Sequence, residues 1–253
     1  MRIIIITQND PFYLADNIGV LLKGLPKSHQ IVGVVISSAS PFGKKESFIQ
    51  KAFNTKKIFG TNFFLFYSFK FIISKVFKPS LRKVLKSYNV PEIKIESSIN
   101  SQESLMVIKE QQPDLLISIL GNQIFKKPLI DLAPKGCVNL HTALLPKYRG
   151  LMPTFWVLKN NEAYTGVSVF YVDKGIDSGP IIVQEKLEIG NRTQQQLIYL
   201  TKKIGMDLIL KTIDLIENDK VEVIPNPESE KTYYRFPSRK DVIEFNKAGK
   251  RFF

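Results

Sequence analysis

The run Asp114-Leu115-Leu116-Ile117-Ser118-Ile119-Leu120 is aliphatic at five of its seven positions. A strand with one wet face alternates in polarity, whereas a strand covered on both faces does not. This run therefore reads as a central strand of a parallel sheet. Working outward, Ser101–Gln112 precedes it as a helix, with Ser101 as N-cap and Leu105 and Ile108 on its apolar stripe. Phe125–Leu132 follows as a short helix, then Gly136–Leu140 as the next strand. Towards the N-terminus lie a strand at Arg2–Thr7, a helix at Asn17–Leu25, a strand at Ile31–Ser37 and a weaker one at Asn89–Ile95. This β-α-β-α-β rhythm predicts an α/β fold, a Rossmann-like doubly wound, mostly parallel sheet with helices on both faces.

Beyond the loop that starts at His141, Thr165–Val172 and Pro180–Ile189 read as two strands paired across a turn. Thr193–Asn218 reads as a long helix with Thr193 as cap and Leu197, Leu200, Ile204, Leu208 and Ile209 on its inner stripe. These elements predict one domain over 1–218, with a helical insertion at 45–88 and a basic C-terminal tail at 219–253.

The 253 residues are 44% hydrophobic and 23% charged, which excludes disordered, collagenous and coiled-coil classes. Cys137 is the only cysteine, so neither a disulfide framework nor a cysteine-rich zinc site is available. The N-terminal apolar run is too short for a signal peptide and no stretch has the length of a membrane span, so a cytoplasmic setting is expected. The net charge of +13 is concentrated in two places. Residues 47–91 carry nine Lys and Arg and no acidic residue, and residues 231–253 carry seven against two. The 185 residues that remain sum to −1. Phe63, Phe64, Phe66, Phe69, Phe71 and Phe77 crowd the insertion among Tyr67, Lys70 and Lys75. Such a helix suits a membrane surface, packing onto the sheet, or a homodimer contact.

The turn after the first strand, Gln8-Asn9-Asp10-Pro11-Phe12, contains no glycine, so neither a dinucleotide fingerprint nor a P-loop is present. No Gly-x-Ser-x-Gly elbow occurs, and His29 and His141 alone cannot form a multi-histidine metal site. In open α/β sheets the site lies at the carboxyl ends of the strands. Asn139 and His141 lie there, two apart and hence on one side of their strand. Asp177 lies in the turn after Thr165–Val172.

The segment Asn139-Leu140-His141-Thr142-Ala143-Leu144-Leu145-Pro146-Lys147-Tyr148-Arg149-Gly150, with Pro153 and Trp156 beyond it, resembles the signature of the 10-formyltetrahydrofolate-dependent formyltransferases. Thr165-Gly166-Val167-Ser168-Val169-Phe170-Tyr171-Val172-Asp173-Lys174-Gly175-Ile176-Asp177-Ser178-Gly179-Pro180-Ile181-Ile182 resembles the second signature of that family. The resemblance is good over 113–187 and weak outside it. It implies a catalytic set of Asn139, His141 and Asp177, 10-formyltetrahydrofolate as formyl donor, and no metal. It also implies a folate pocket built from Leu120, Gly121, Asn122, Gln123 and Ile124 and from Val172, Asp173, Lys174, Gly175 and Ile176. Two positions depart from the family: Ala143 stands where serine is common, and Phe170 where histidine is common.

The acceptor expected is a small amine bearing phosphate, held by Asn9 and Asp10 and by Lys147, Tyr148, Arg149 and Gly150. Arg235, Arg239 and Lys240 of the tail are further candidates for its phosphates. Family members acting on methionyl-tRNA carry a β-barrel of roughly 50 residues or more, which the 35 residues after Asn218 do not supply. Those acting on glycinamide ribonucleotide carry a glycine-rich loop that Gln8–Phe12 does not resemble. An amino sugar attached to a nucleotide is therefore the favoured acceptor, ahead of tRNA, glycinamide ribonucleotide and a non-catalytic folate-binding role.

Overall fold

A computed structural model describes residues 1–37, 47–121 and 123–253. In chain order, β1 (Arg2–Gln8), α1 (Leu14–Gly24) and β2 (Gln30–Ser37) are followed by three helices of the insertion: α2 (Phe48–Phe59), α3 (Thr61–Phe77) and α4 (Leu81–Ser87). Then come β3 (Glu92–Ile93), α5 (Gln102–Glu110), β4 (Leu115–Ile119), α6 (Lys127–Ile130) and β5 (Cys137–His141). The second half holds β6 (Arg149–Gly150), α7 (Pro153–Lys159), β7 (Tyr164–Tyr171), β8 (Ile181–Glu188), α8 (Gln194–Glu217), β9 (Tyr233–Tyr234) and α9 (Arg239–Lys247).

The seven-stranded sheet runs β3-β2-β1-β4-β5-β7-β8. Pairings from β3 to β5 are parallel, and β7 and β8 join antiparallel. The nearly continuous aliphatic runs of β1 and β4 follow from their place at the centre, covered on both faces. On one face Ile3, Ile5, Leu115, Ile117, Val138 and Leu140 meet α1 and α8. On the other Ile4, Ile6, Leu116 and Cys137 meet Ile108 of α5 and Leu129 of α6.

Capping chemistry fixes the helix starts. The hydroxyl of Ser101 accepts the Ser104 N–H, and Thr193 with Gln196 forms a reciprocal capping box at α8. The inner stripe of α8 includes Gly205, where a Cβ would stand 2.7 Å from a methyl of Leu140, so the glycine lets α8 lie directly on β5. α1 starts three residues earlier than the sequence predicts. Asp10 Oδ1 accepts the N–H groups of Phe12 and Tyr13 and turns the chain early into the helix. β3 shrinks to two residues behind Pro91, and α6 to four around Pro128.

A third core holds the segment after Asn218 against the body. Val242 and Phe245 of α9 and Phe252 pack with Phe155 and Trp156 of α7, Leu197 of α8 and Phe59 of α2. β9 pairs with β6 in a separate two-stranded parallel ribbon.

Candidate active site

Asn139 and His141 stand on β5, on the face shared with Cys137 and opposite the one where Val138 and Leu140 pack. The loop that follows is pinned from the antiparallel strands. Ser168 Oγ donates to the Ala143 carbonyl at 2.7 Å, and Gln184 Nε2 donates to the Leu145 carbonyl at 3.0 Å and to Ser168 Oγ at 2.8 Å. This loop curls back over the strand that launched it and brings the Tyr148 carbonyl 2.8 Å from His141 Nε2. A carbonyl only accepts, so Nε2 carries a proton and Nδ1 is the nitrogen left to exchange one. Nδ1 stands 3.6 Å from Asp177 Oδ2. Both side chains are largely buried, at 7% and 14% exposure.

Asp177 is held from two sides. Its Oδ2 accepts the Gly150 N–H at 2.7 Å. Its backbone has a φ of +49°, a conformation that costs a non-glycine residue free energy unless neighbours enforce it. Asn226 enforces it, donating from Nδ2 to the carbonyls of Asp177 at 2.9 Å and Gly179 at 2.8 Å. Gly150 has φ +94°, and a Cβ there would stand 2.3 Å from the Tyr234 carbonyl, so only glycine fits the β6–β9 ribbon at this point. Asn139 is half-buried, and among the described residues its amide has no hydrogen-bond partner.

The structure brings His141, Asp177, Tyr148 and Gly150 into direct contact. It gives Arg149 protein partners: the buried guanidinium bonds Glu228, the Asn226 side chain at 2.8 Å and the Asn226 carbonyl at 3.1 Å. Lys231 and Arg149 together draw the Glu228 carboxyl down to about 2. Tyr148 stacks on Tyr234 at 5.2 Å, and burial raises its phenol above the ordinary range. Lys147, Arg235, Arg239 and Lys240 are exposed.

The two loops expected to hold folate flank this strand end. Gly121 and Ile124 are exposed, Leu120 adopts φ +59°, and the Gln123 side chain accepts the Ile99 N–H at 3.3 Å. Asn122 lies outside the described residues. On the other loop, Asp173 Oδ1 accepts from Gly175 N at 2.9 Å and Ser178 Oγ at 2.5 Å, while Lys174 and Ile176 point to solvent. Val172 ties this loop to β5 by donating its N–H to the Cys137 carbonyl at 2.8 Å.

One charged residue was missed from the sequence. Lys202 of α8 is nine-tenths buried, with its ammonium 4.0 Å from Asp10 Oδ2. Together with Leu120, Thr142 and Asn17 it lines a small cavity, and burial lowers its pKa to about 8. Its signal is a lysine four residues before Met206 on the buried side of α8. Among the described residues, no group of three or more His, Cys, Asp and Glu side chains is placed to hold a metal.

The model of the formyl transferase family matches residues 1–213, so the chain belongs to the formyl transferase family. It is 33% identical over 184 residues to the methionyl-tRNA formyltransferase of Kosmotoga olearia, covering 71% of this chain and 58% of that protein. A second methionyl-tRNA formyltransferase, from Alkaliphilus oremlandii, is 34% identical over 63% of this chain and 51% of its own length. The chain thus spans between half and three-fifths of these curated relatives. Among solved structures it shares its fold with an N-formyltransferase of Helicobacter canadensis in complex with folinic acid and dTDP-3-aminofucose (TM-score 0.58, 20% identity, 95% of this chain and 72% of that one). The phosphoribosylglycinamide formyltransferase of Anaplasma phagocytophilum superposes with a TM-score of 0.64 at 18% identity, over 93% of this chain and 99% of that one.

Proposed function

We propose that this chain transfers a formyl group from 10-formyltetrahydrofolate to a primary amine, and that the acceptor is an amino sugar carried on a nucleotide. The observation that carries the chemistry is the buried His141–Asp177 pair beside the amide of Asn139, which has no hydrogen-bond partner among the described residues. The amine attacks the formyl carbon and its lone pair forms the new C–N bond, which moves charge onto the formyl oxygen. Asn139 Nδ2 and a protonated or donating His141 are suited to stabilise that oxygen. One preorganised donor of this kind is worth about 3–4 kcal/mol in the transition state. The attacking nitrogen then loses a proton and the N10 nitrogen of the folate leaves with one. Asp177, 3.6 Å from Nδ1, relays this proton directly or through water and orients the imidazole. The exposed apolar side chains Ile124 and Ile176 suit the two faces of a pterin, between the backbones of Leu120–Ile124 and Val172–Ile176.

The sugar reading is supported by the likeness of fold to the dTDP-aminosugar enzyme, which extends over 95% of this chain. Methionyl-tRNA is the second reading, favoured by the 33% identity to enzymes of that name. Incubation with 10-formyltetrahydrofolate and nucleotide amino sugars, methionyl-tRNA or glycinamide ribonucleotide separates these acceptors. The salt dependence of the acceptor KM gives an independent test. A diphosphate engages few charges, whereas for a polynucleotide log affinity falls by about 0.7–0.9 per phosphate contacted for each decade of salt. A slope of about five or more would replace the sugar with RNA.

A further inference from the structure

α3 is apolar on both sides, yet among the described residues only one side is covered. A helix apolar all round belongs in a protein core or in contact with lipid. The inner side is accounted for. Phe63 and Tyr67 stack at 4.4 Å, Phe66 stacks on Phe253 at 3.9 Å, and Phe63 meets Phe252 edge-on at 4.9 Å. Lys70 donates to Tyr13 Oη at 2.8 Å, and Ser74 Oγ donates to the Pro11 carbonyl, so this side also clamps the turn after β1.

Among the described residues the outer side has no cover. Leu65, Phe69, Ile72 and Val76 fall at i, i+4, i+7 and i+11, one ridge of an α-helix, and are 59–67% exposed. Phe77 closes the ridge at 79% exposure, and on α2 Ile49 and Phe53 are exposed at 78% and 66%. Lys56, Lys57 and Lys75 are exposed on the same two helices. Residues 47–91 contain no carboxylate at all.

We propose that the outer face of the α2–α3 pair docks on an anionic lipid bilayer. The apolar ridge enters the boundary between head groups and acyl chains, and the lysines meet the anionic head groups. A ridge of this size with flanking lysines is the two-signal combination that holds a helix in the interface plane. No helix of the described residues is long and apolar enough to cross the membrane, and the proposed contact lies in the interface plane. A second copy fits this face less well, because it would bring the exposed Lys56, Lys57 and Lys75 against the same three lysines. The clamp on Pro11 and Tyr13 places the docked helix beside the carboxyl end of β1, at the rim of the strand ends where His141 lies.

Flotation of the full chain with vesicles tests this. Vesicles of phosphatidylcholine containing phosphatidylglycerol should carry the protein, and vesicles of phosphatidylcholine alone should carry far less. Phe69→Ser with Ile72→Ser changes only exposed side chains, so it should abolish flotation with an unchanged melting temperature. Lys56→Gln and Lys57→Gln should each weaken binding about fivefold, the ratio set by about 1 kcal/mol per charge at the surface. Tyr199→Ser, an exposed aromatic on α8, should leave it intact. Failure to float with the anionic vesicles overturns the proposal. So does equal flotation of the Phe69→Ser/Ile72→Ser variant, or a concentration-dependent dimer, broken by that variant, in a protein that ignores vesicles.

Discussion

His141 Nδ1 and Asp177 Oδ2 stand 3.6 Å apart, and that same carboxylate oxygen accepts the Gly150 N–H at 2.7 Å. The carboxylate is anchored by the backbone, not by the imidazole. It therefore keeps its position whichever protonation state His141 adopts, as the relay role proposed for it requires. The gap is wider than a direct hydrogen bond, which leaves His141 Nδ1 free to serve a reacting atom.

Asp177→Asn retains an oxygen for the Gly150 N–H but cannot take up a proton. Turnover of the true acceptor should fall by about 10²–10⁴, with folate binding and thermal melting close to those of the parent. His141→Ala should show a loss of similar size. Near-normal turnover in either variant, measured with saturating donor, rules out the assigned roles.

The Arg149 guanidinium reaches Glu228 and Asn226, and Asn226 in turn holds the strained backbone of Asp177. Replacing Arg149 with methionine removes buried charge-assisted hydrogen bonds, at a cost of about 1–3 kcal/mol. Because Glu228 is exposed, no buried carboxylate is stranded. Melting temperature and kcat should drop together while the acceptor KM stays nearly constant. A large rise in KM with unchanged melting would instead make Arg149 an acceptor ligand.

Phe245 is fully buried and stacks on Phe155 at 4.8 Å and Phe252 at 4.5 Å. Truncating it to alanine should cost about 3–5 kcal/mol. Since α9 shares its core with α7 and α8, calorimetry should show one transition shifted as a whole. A separate low-temperature transition would mean that the segment after Asn218 melts on its own.

The parallel strands were legible because burial on both faces leaves a nearly continuous aliphatic run, as in Ile3–Ile6 and Leu115–Ile119. Helices with a polar cap were legible at Ser101 and Thr193 for the same local reason. The β6–β9 ribbon was not, since two-residue strands far apart in sequence carry no periodicity. His141 and Asp177 could be paired only through resemblance to a family, because no local pattern says that two loops 36 positions apart will meet. The insertion was readable as aromatic and basic. Which half of its aromatics would be covered depended on Phe252 and Phe253 at the far end of the chain.

Lys202 gives the molecule a pH dependence that one substitution isolates. Unfolded, a lysine keeps its proton to about 10.4, whereas burial brings Lys202 down to about 8 in the folded chain. Between those values the unfolded state binds more protons, so the contribution of Lys202 to stability rises with pH across that window. Below it the full cost of burying the ammonium is present, of order 3 kcal/mol for a gap of about two units. Lys70, also lowered to about 8 by burial, acts in the same direction. Tyr13 and Tyr67, whose phenols burial raises, oppose it above pH about 10, where the unfolded tyrosines ionise first. The difference between the parent and Lys202→Met removes these shared contributions. Methionine fills a similar volume, and Asp10 keeps the N–H groups of Phe12 and Tyr13 as partners. Denaturant unfolding should therefore find Lys202→Met the more stable protein at pH 7, with the advantage shrinking steadily towards pH 10. A variant less stable than the parent at pH 7 would show that the 4.0 Å pairing with Asp10 outweighs the burial of Lys202, and that the turn after β1 depends on that ion pair.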